Sequence, residues 1–179
     1  MPLVLFDLDG VLADFAAGVA KLFGKPAPGP ELAGQELAAA LDVPTAVIWQ
    51  RIDALGRRFW EELPPTPEAD ALVALARERA QIAIASAPSQ DPASAAGKLR
   101  WIQQRFGRRF RDFHITPRKD LLAAPGRLLV DDHAEHVAAF RAAGGAAVLH
   151  PTWSNGGRPA AEPVAAFRAA LDALLLPPR

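Results

Sequence analysis

Short apolar runs alternate with amphipathic stretches along most of the chain. Five short runs predict buried strands, over residues 3–6, 82–86, 113–116, 127–132 and 146–150. Between them, apolar residues at helical spacing predict helices over residues 67–79, 92–106, 133–143 and 160–175. Strands that alternate with helices are typical of a parallel sheet covered on both faces. We therefore expect an α/β fold, a three-layer sandwich with a central parallel sheet and the first strand in its middle.

Residues 25–66 interrupt this alternation. A Pro/Gly-rich stretch, "GKPAPGPELAG", indicates a linker, and "PELAGQELAAALD" and "PTAVIWQRIDALGRRFWEEL" each predict a helix. The segment ends at "PPTP" (64–67). We expect residues 14–66 to form a small helical cap inserted after the first strand, and residues 1–13 and 67–179 to form the core domain.

Composition narrows the class of protein. The 179 residues suit one domain, and the 50% hydrophobic content allows a sizeable core. Twenty acidic residues balance twenty basic ones, which gives no indication of a nucleic-acid polymer or a membrane as partner. The absence of cysteine excludes disulfides, thiolate metal sites and cysteine nucleophiles. With neither a long apolar run nor a signal-peptide pattern, we expect a soluble cytoplasmic protein.

Polar side chains collect where the predicted strands end. Because ligands bind at the carboxyl ends of parallel strands, these residues are expected to meet at one edge. They are Asp7, Asp9, Ser86, Thr116, Arg118, Lys119, Asp131 and Asp132. Crowded carboxylates without cysteine suit Mg²⁺, and the hydroxyl and lysine suit a phosphate. The combination indicates phosphoryl transfer.

Four stretches in order resemble the motifs of the haloacid dehalogenase-like (HAD) phosphatases. They are "DLDGVLADF", "IASAPS", Lys119 and "LLVDD". Within this superfamily the chain is most similar to the 5′(3′)-deoxyribonucleotidases. The supporting stretches are "VIWQ…FWEELPPTP", "KLRWIQQRFG", "ITPRK" and "GGAAVLHPTWSN". The resemblance implies a Rossmann-like HAD fold and a Mg²⁺-dependent phosphomonoesterase acting on (deoxy)nucleoside monophosphates.

The resemblance also implies a role for each motif residue. Asp7 would be the nucleophile that forms an aspartyl-phosphate, and Asp9 the general acid and base. Mg²⁺ would bind Asp7, Asp9 (through its backbone carbonyl) and Asp131, with Asp132 in support. The phosphate would be held by Gly10, Ser86, Ala87, Lys98 and Lys119. Whether Lys119 or its neighbour Arg118 contacts the phosphate stays open.

The substrate depends on the cap. Aromatic residues there and beside the catalytic loop could stack on a nucleobase or belong to the core. They are Phe15, Trp49, Phe59 and Trp60, and exposed cap aromatics would also be compatible with a homodimer. We expect His133 and His136 to begin a helix and face solvent. One alternative is a phosphatase of a sugar phosphate or another metabolite. Another is a receiver-like signalling domain without turnover, which the D-x-D pair and the insertion argue against.

Overall fold

The computed structural model describes residues 2–156 and 162–175 and contains one five-stranded parallel sheet. The strands are β1 (Leu3–Phe6), β2 (Gln81–Ser86), β3 (Phe113–Ile115), β4 (Arg127–Asp131) and β5 (Ala146–Leu149). Their order across the sheet is β3-β2-β1-β4-β5. In register, Leu5 lies opposite Ala83 of β2 and Leu129 of β4. The predicted central position of the first strand is confirmed, so Asp7 and Asp9 leave the middle of the sheet.

Eight α-helices connect and cover the strands within the described residues. They are α1 (Phe15–Leu22), α2 (Leu37–Ala40), α3 (Thr45–Leu55), α4 (Arg57–Glu61), α5 (Ala69–Arg77), α6 (Pro92–Phe106), α7 (Ala134–Ala142) and α8 (Pro163–Leu175). Two 3₁₀ turns span Pro30–Leu32 and Lys119–Leu122. Of the helix predicted over residues 160–175, positions 160 and 161 lie outside the described residues.

Alternation along the strands divides the core between the two faces of the sheet. Leu5 and Leu129 point to one face, where they pack with Val137 and Phe140 of α7. Val4, Phe6, Ile84 and Val130 point to the other face, against α5, α8 and residues of the cap segment. Phe6 and Phe167 of α8 lie 5.4 Å apart between ring centroids. Both faces are therefore buried, which confirms the three-layer α/β arrangement.

The 14–66 segment is helical, but its helices are shorter than the sequence pattern predicts. The helix predicted over 44–63 breaks at Gly56, whose φ of +54° is rarely adopted by other residues, and continues as α4. The stretch "PELAGQELAAALD" contains only the 3₁₀ turn at Pro30–Leu32 and the short α2. An additional helix, α1, begins at Phe15 and is capped by Asp14, whose carboxylate accepts a hydrogen bond from the Ala17 amide at 2.9 Å.

None of the helices in the described ranges combines the length and apolar character needed to span a bilayer.

Candidate active site

The carboxylate of Asp7 lies immediately beyond β1 and is almost completely buried. Its Oδ1 accepts a hydrogen bond from the Leu8 amide at 2.7 Å, and its Oδ2 lies 2.9 Å from Lys119 Nζ. The same ammonium group donates to Asp131 Oδ2 at 2.6 Å. Lys119 therefore bridges the ends of β1 and β4, and it is itself only 2% exposed.

A second lysine binds Asp9. Lys98, on α6, donates to Asp9 Oδ2 at 2.5 Å, to Ser86 Oγ at 3.0 Å and to the Ala87 carbonyl at 2.5 Å. The side chain is buried, and its ammonium group lies 4.9 Å from the ring centroid of Trp60. The resemblance implies that this helix residue holds the phosphate, and the structure brings it to the ends of β1 and β2.

Gly10 allows the loop after β1 to pass close to the end of β4. Its φ is +78°, and a Cβ built at this position would lie 2.7 Å from Asp132 Cγ and closer still to Oδ2. A side chain at position 10 would therefore displace the Asp132 carboxylate. Glycine is required here for backbone conformation and for close approach.

The two carboxylates at the end of β4 have different surroundings. Asp131 is fully buried, and it accepts hydrogen bonds from Lys119 and from the His133 amide at 2.9 Å. Asp132 instead lines the open cleft beside Asp9 and Gly10. The Nδ2 of Asn155 donates to the Asp132 carbonyl at 3.0 Å, which ties this residue to the loop after β5.

We expected His133 and His136 to face solvent. Both instead contact this carboxylate pair. His133 Nδ1 lies 2.8 Å from Asp132 Oδ1, and His136 Nδ1 lies 3.2 Å from both oxygens of Asp131. His133 is 64% exposed and lines the cleft, so it is both accessible and part of the site. Their i, i+3 spacing at the start of a helix that follows two aspartates was the available signal.

A cleft of about 490 Å³ opens above these groups. Asp9, Gly10, Asp132 and His133 line its floor. Its walls come from the cap segment and from the loop after β5, and include Phe15, Leu37, Thr45, Ile48, Trp49, Trp60, Thr152 and Trp153. The linker and this loop also meet, because the Gly34 amide donates to the Trp153 carbonyl at 2.8 Å.

Three of the four aromatic residues proposed for the substrate pocket line the cleft. Phe15 stacks on Trp60, with ring centroids 5.7 Å apart and planes 25° apart, and Trp49 is 39% exposed. Phe59 is not among the lining residues. It is buried behind the others, in edge contact with Phe15 and Trp60, and supports the wall from the core side.

The structure distinguishes Lys119 from Arg118. The guanidinium of Arg118 is 64% exposed and forms a bidentate contact with Asp120 at 2.9 and 2.7 Å. Lys119 begins a 3₁₀ turn and points inward to Asp7. Of these two basic residues, Lys119 is therefore the one that contacts the carboxylates at the strand ends.

Burial controls the electrostatics of the site. Burial raises the pKa of Asp7, with further contributions from the Asp131 and Asp132 carboxylates, while Lys119 opposes the rise. Burial also raises the pKa of Asp9 against the effect of Lys98. Burial alone would raise the pKa of Asp131, but hydrogen bonds from His136 and Lys119 bring it down to about 2. The hydrogen bond to Asp132 raises the pKa of His133 to about 9.

The donor set suits a divalent cation. Side-chain ligand atoms of Asp7, Asp131, Asp132 and His133 all lie within 4.8 Å of one another. Three of these four groups are carboxylates, the ligands that Mg²⁺ prefers. The carboxylate of Asp9 is directed to Lys98 instead, so any contact of this residue with the cation would come from its backbone carbonyl.

A sequence model of the family described as "5′ nucleotidase, deoxy (Pyrimidine), cytosolic type C protein" matches residues 1–155. The chain belongs to this nucleotidase family. It is accordingly a phosphoric monoester hydrolase of the nucleotidase type, which confirms the resemblance found in the sequence. A search of curated proteins with this nucleotidase finds no significant match.

Solved structures of HAD hydrolases share the fold of this nucleotidase. A Bacillus subtilis HAD hydrolase bound to magnesium is 15% identical, with a TM-score of 0.58 over 98% of this chain and 99% of that chain. A Xanthomonas campestris family hydrolase is 15% identical, with a TM-score of 0.57 over 97% and 91%. A Deinococcus radiodurans hydrolase with bound phosphate and sodium is 18% identical, with a TM-score of 0.50 over 98% and 88%. At these identities the likeness shows the fold alone.

Proposed function

We propose that the protein is a Mg²⁺-dependent phosphatase that removes phosphate from (deoxy)nucleoside monophosphates through an aspartyl-phosphate on Asp7. The observation that carries this proposal is the placement of Asp7, which lies at the end of the central strand with Lys119 at 2.9 Å and Asp132 nearby. The family membership supports the nucleotidase activity.

Two displacements account for hydrolysis. Asp7 attacks phosphorus as the bond to the nucleoside oxygen breaks, and Asp9 gives that oxygen a proton. Water then attacks the aspartyl-phosphate, Asp9 takes the proton back, and inorganic phosphate leaves. Burial raises the pKa of Asp9 above its ordinary value although Lys98 opposes the rise, and a raised pKa is the direction that suits a general acid.

The phosphate oxygens require donors around Asp7. We assign this role to the Lys119 ammonium, the Ser86 hydroxyl and backbone amides near Gly10 and Ala87. Lys98 already binds Ser86 and Asp9, so it both orients the acid and adds positive charge beside the phosphate. Charge-assisted hydrogen bonds of this kind are the strong ones in phosphate sites.

For the cation we propose a revision of the ligand set expected from the sequence. Asp7, the Asp9 carbonyl and Asp132 would hold Mg²⁺, while Asp131 would fix Lys119 in place. Asp131 is fully buried and occupied by hydrogen bonds, whereas Asp132 borders the cleft through which an ion can arrive. When bound, Mg²⁺ would neutralise charge on the phosphoryl group.

The cap would select the leaving group. We propose that residues 14–66 act as this cap over a core of residues 1–13 and 67–179, since cleft walls come from both parts. Phe15, Trp49 and Trp60 offer ring faces on which a nucleobase can stack, worth roughly 1–3 kcal/mol per base in single-strand sites. We propose the cytoplasm as its location, in line with the family's description as cytosolic.

A hydrolysis screen tests this function. Purified protein is assayed with deoxyribonucleoside and ribonucleoside monophosphates, sugar phosphates and p-nitrophenyl phosphate, with Mg²⁺ and after chelation. We expect nucleotides to be hydrolysed best and chelation to abolish turnover. Good hydrolysis of sugar phosphates with none of nucleotides would reject the substrate assignment, and full activity after thorough chelation would reject the metal.

A matched pair of variants tests the cap. Trp49→Ala removes a cleft ring, whereas Val47→Ala changes a residue of similar exposure on α3 that does not line the cleft. Trp49→Ala should raise KM for nucleotides more than for p-nitrophenyl phosphate, and Val47→Ala should change neither. Equal changes for both substrates would exclude base stacking on Trp49.

A further inference from the structure

The His133 imidazole is directed into the carboxylate cluster rather than away from it. Its Nδ1 lies 2.8 Å from Asp132 Oδ1 and 3.7 Å from Asp131 Oδ1. One of its ring nitrogens also lies within 4.8 Å of a carboxylate oxygen of Asp7. His133 directly follows Asp131 and Asp132 and is the N-cap residue of α7. The end of β4 and the start of α7 therefore fix its backbone position. It also lines the cleft, so an ion that enters the cleft can reach it.

A nitrogen donor changes which ion such a cluster prefers. Mg²⁺ binds oxygen ligands and rarely takes imidazole, whereas Mn²⁺, Co²⁺, Ni²⁺ and Zn²⁺ accept imidazole, with affinity that rises from Mn²⁺ through Co²⁺ to Ni²⁺. We propose that an entering ion displaces the proton between His133 and Asp132 to solvent, and that His133 then supplies a nitrogen ligand to the cation site of Asp7 and Asp132, so that this site binds first-row transition ions more tightly than Mg²⁺. This inference rests on the cation site in the proposed function.

His136 is not placed to bind an ion that enters through the cleft. Its Nδ1 faces Asp131, whose oxygens already accept from Lys119 and from the His133 amide. His136 does not line the cleft either. Of the two histidines, His133 is therefore the one placed to bind an ion.

Metal-binding measurements on the full chain test the inference. Metal-free protein is titrated with Co²⁺ and separately with Mg²⁺ by isothermal calorimetry, and Co²⁺ binding is also followed by visible absorption. His133→Ala should weaken Co²⁺ binding roughly 10- to 100-fold and alter the Co²⁺ spectrum, while Mg²⁺ affinity changes little. His133→Gln, which keeps a polar side chain of similar size, should behave as His133→Ala does.

Two control variants locate the effect. His114→Ala removes an exposed histidine on β3, an edge strand that β2 and β1 separate from β4. This change should leave the ratio of Co²⁺ to Mg²⁺ affinity unchanged. An unchanged ratio in His133→Ala would overturn the proposal. A loss of Co²⁺ affinity in His136→Ala but not in His133→Ala would also overturn it, because the ion would then lie at Asp131.

Turnover separates this inference from the proposed function. If the wild-type protein hydrolyses nucleotides with Mg²⁺ but its Co²⁺ affinity does not depend on His133, only the inference fails. If Co²⁺ affinity depends on His133 but no phosphomonoester is hydrolysed with any of these ions, the proposed function fails and the metal site stands.

Discussion

At the scale of single residues, Asp131 and Asp132 are adjacent in the chain, but their carboxylates have different surroundings. Successive side chains along an extended chain point to opposite sides. Asp131 consequently faces inward to Lys119, while Asp132 faces the cleft. The neighbouring pair Asp7 and Asp9 has a spacing of two, and each binds its own lysine. The site thus contains two separate lysine–carboxylate units.

Removing the negative charge of Asp7 should eliminate turnover. In Asp7→Asn the amide lacks the anionic oxygen needed to attack phosphorus, so we expect no measurable hydrolysis of p-nitrophenyl phosphate. Asp9→Asn should slow the reaction by about 10²- to 10⁴-fold, because proton transfer is lost while the nucleophile is kept. Thermal melting curves establish that both variants fold. A near wild-type rate for Asp7→Asn would exclude covalent catalysis by this residue.

Gly10→Ala and Gly24→Ala form a matched pair of changes at positive φ. Gly24 has a φ of +62° with nothing within 4 Å of a built Cβ, whereas a Cβ at Gly10 would collide with Asp132. Both variants should lose stability through backbone strain, on the order of 1–2 kcal/mol. Only Gly10→Ala should also lose most of its Mg²⁺-supported activity. Similar activity losses in the two variants would show that close approach to Asp132 is unimportant.

Much of the site could be predicted from the sequence because the motif residues lie at the carboxyl end of a strand or within four residues after it. Asp7, Asp9, Ser86 and Lys119 meet at one edge, as the topology of a parallel sheet requires. Alternation places Asp131 and Asp132 on opposite sides, but which of the two contacts Lys119 could not be predicted, because it depends on the tertiary position of that lysine. The orientation of His133 could not be predicted either, since an imidazole at a helix start can face solvent or a neighbouring carboxylate.

At the scale of elements, the contact between α4 and α6 connects the 14–66 segment to Lys98, the lysine that binds Asp9. Gly97 of α6 allows this contact, because a Cβ there would lie 2.5 Å from both the Arg57 carbonyl oxygen and Trp60 Cβ. Lys98, the next residue, carries its ammonium group under the Trp60 ring. The position of the Trp60 ring in the cleft wall therefore depends on the position of Lys98, which binds Asp9.

Gly97→Val should disturb both parts of this contact. The added side chain has no room against α4, so we expect a loss of stability of about 1–3 kcal/mol and a higher KM for nucleotides as Trp60 moves. Ala96→Val, at an exposed position of the same helix, introduces the same side chain without the clash and costs only a few tenths of a kcal/mol, roughly, in helix propensity. Urea unfolding and steady-state kinetics compare the two. Equal effects would mean that the close packing at Gly97 does not position the cleft wall.

Hydrophobic periodicity predicted the strands and the long core helices well, because their buried faces repeat over several turns. The cap helices were predicted less well. The pattern over 44–63 continues through Gly56, so periodicity alone indicated one helix, and the positive φ at this glycine divides it into α3 and α4. Periodicity reports which residues are buried but not whether the backbone turns between two buried groups.

At the scale of the whole molecule, the sheet concentrates negative charge at one point of an electrically neutral chain. Twenty acidic and twenty basic residues balance overall, yet Asp7, Asp131 and Asp132 bring their oxygens within 4.8 Å of one another. Mutual repulsion and burial both raise the pKa of Asp7. A bound divalent cation would relieve this repulsion and should therefore stabilise the folded state.

Saturating Mg²⁺ should raise the melting temperature. Free Mg²⁺ at about 100 times its dissociation constant adds roughly 2.7 kcal/mol of stability. For a chain of this size that corresponds to a shift of roughly 5–11 °C. Asp132→Asn should lose most of the shift, whereas Asp53→Asn, at an exposed position on α3, should keep it. Differential scanning fluorimetry at constant ionic strength measures the effect, and an equal shift in all three proteins would argue against ion binding at Asp132.

The distribution of indole rings gives the cleft an optical signal of its own. The chain has four tryptophans, of which Trp49, Trp60 and Trp153 line the cleft. The fourth, Trp101, is buried and donates from Nε1 to the Leu63 carbonyl at 2.8 Å. A base that enters would quench or shift the emission of the first three and leave the fourth as an internal reference. The intrinsic fluorescence of the unlabelled protein can therefore report occupancy of the cleft in real time.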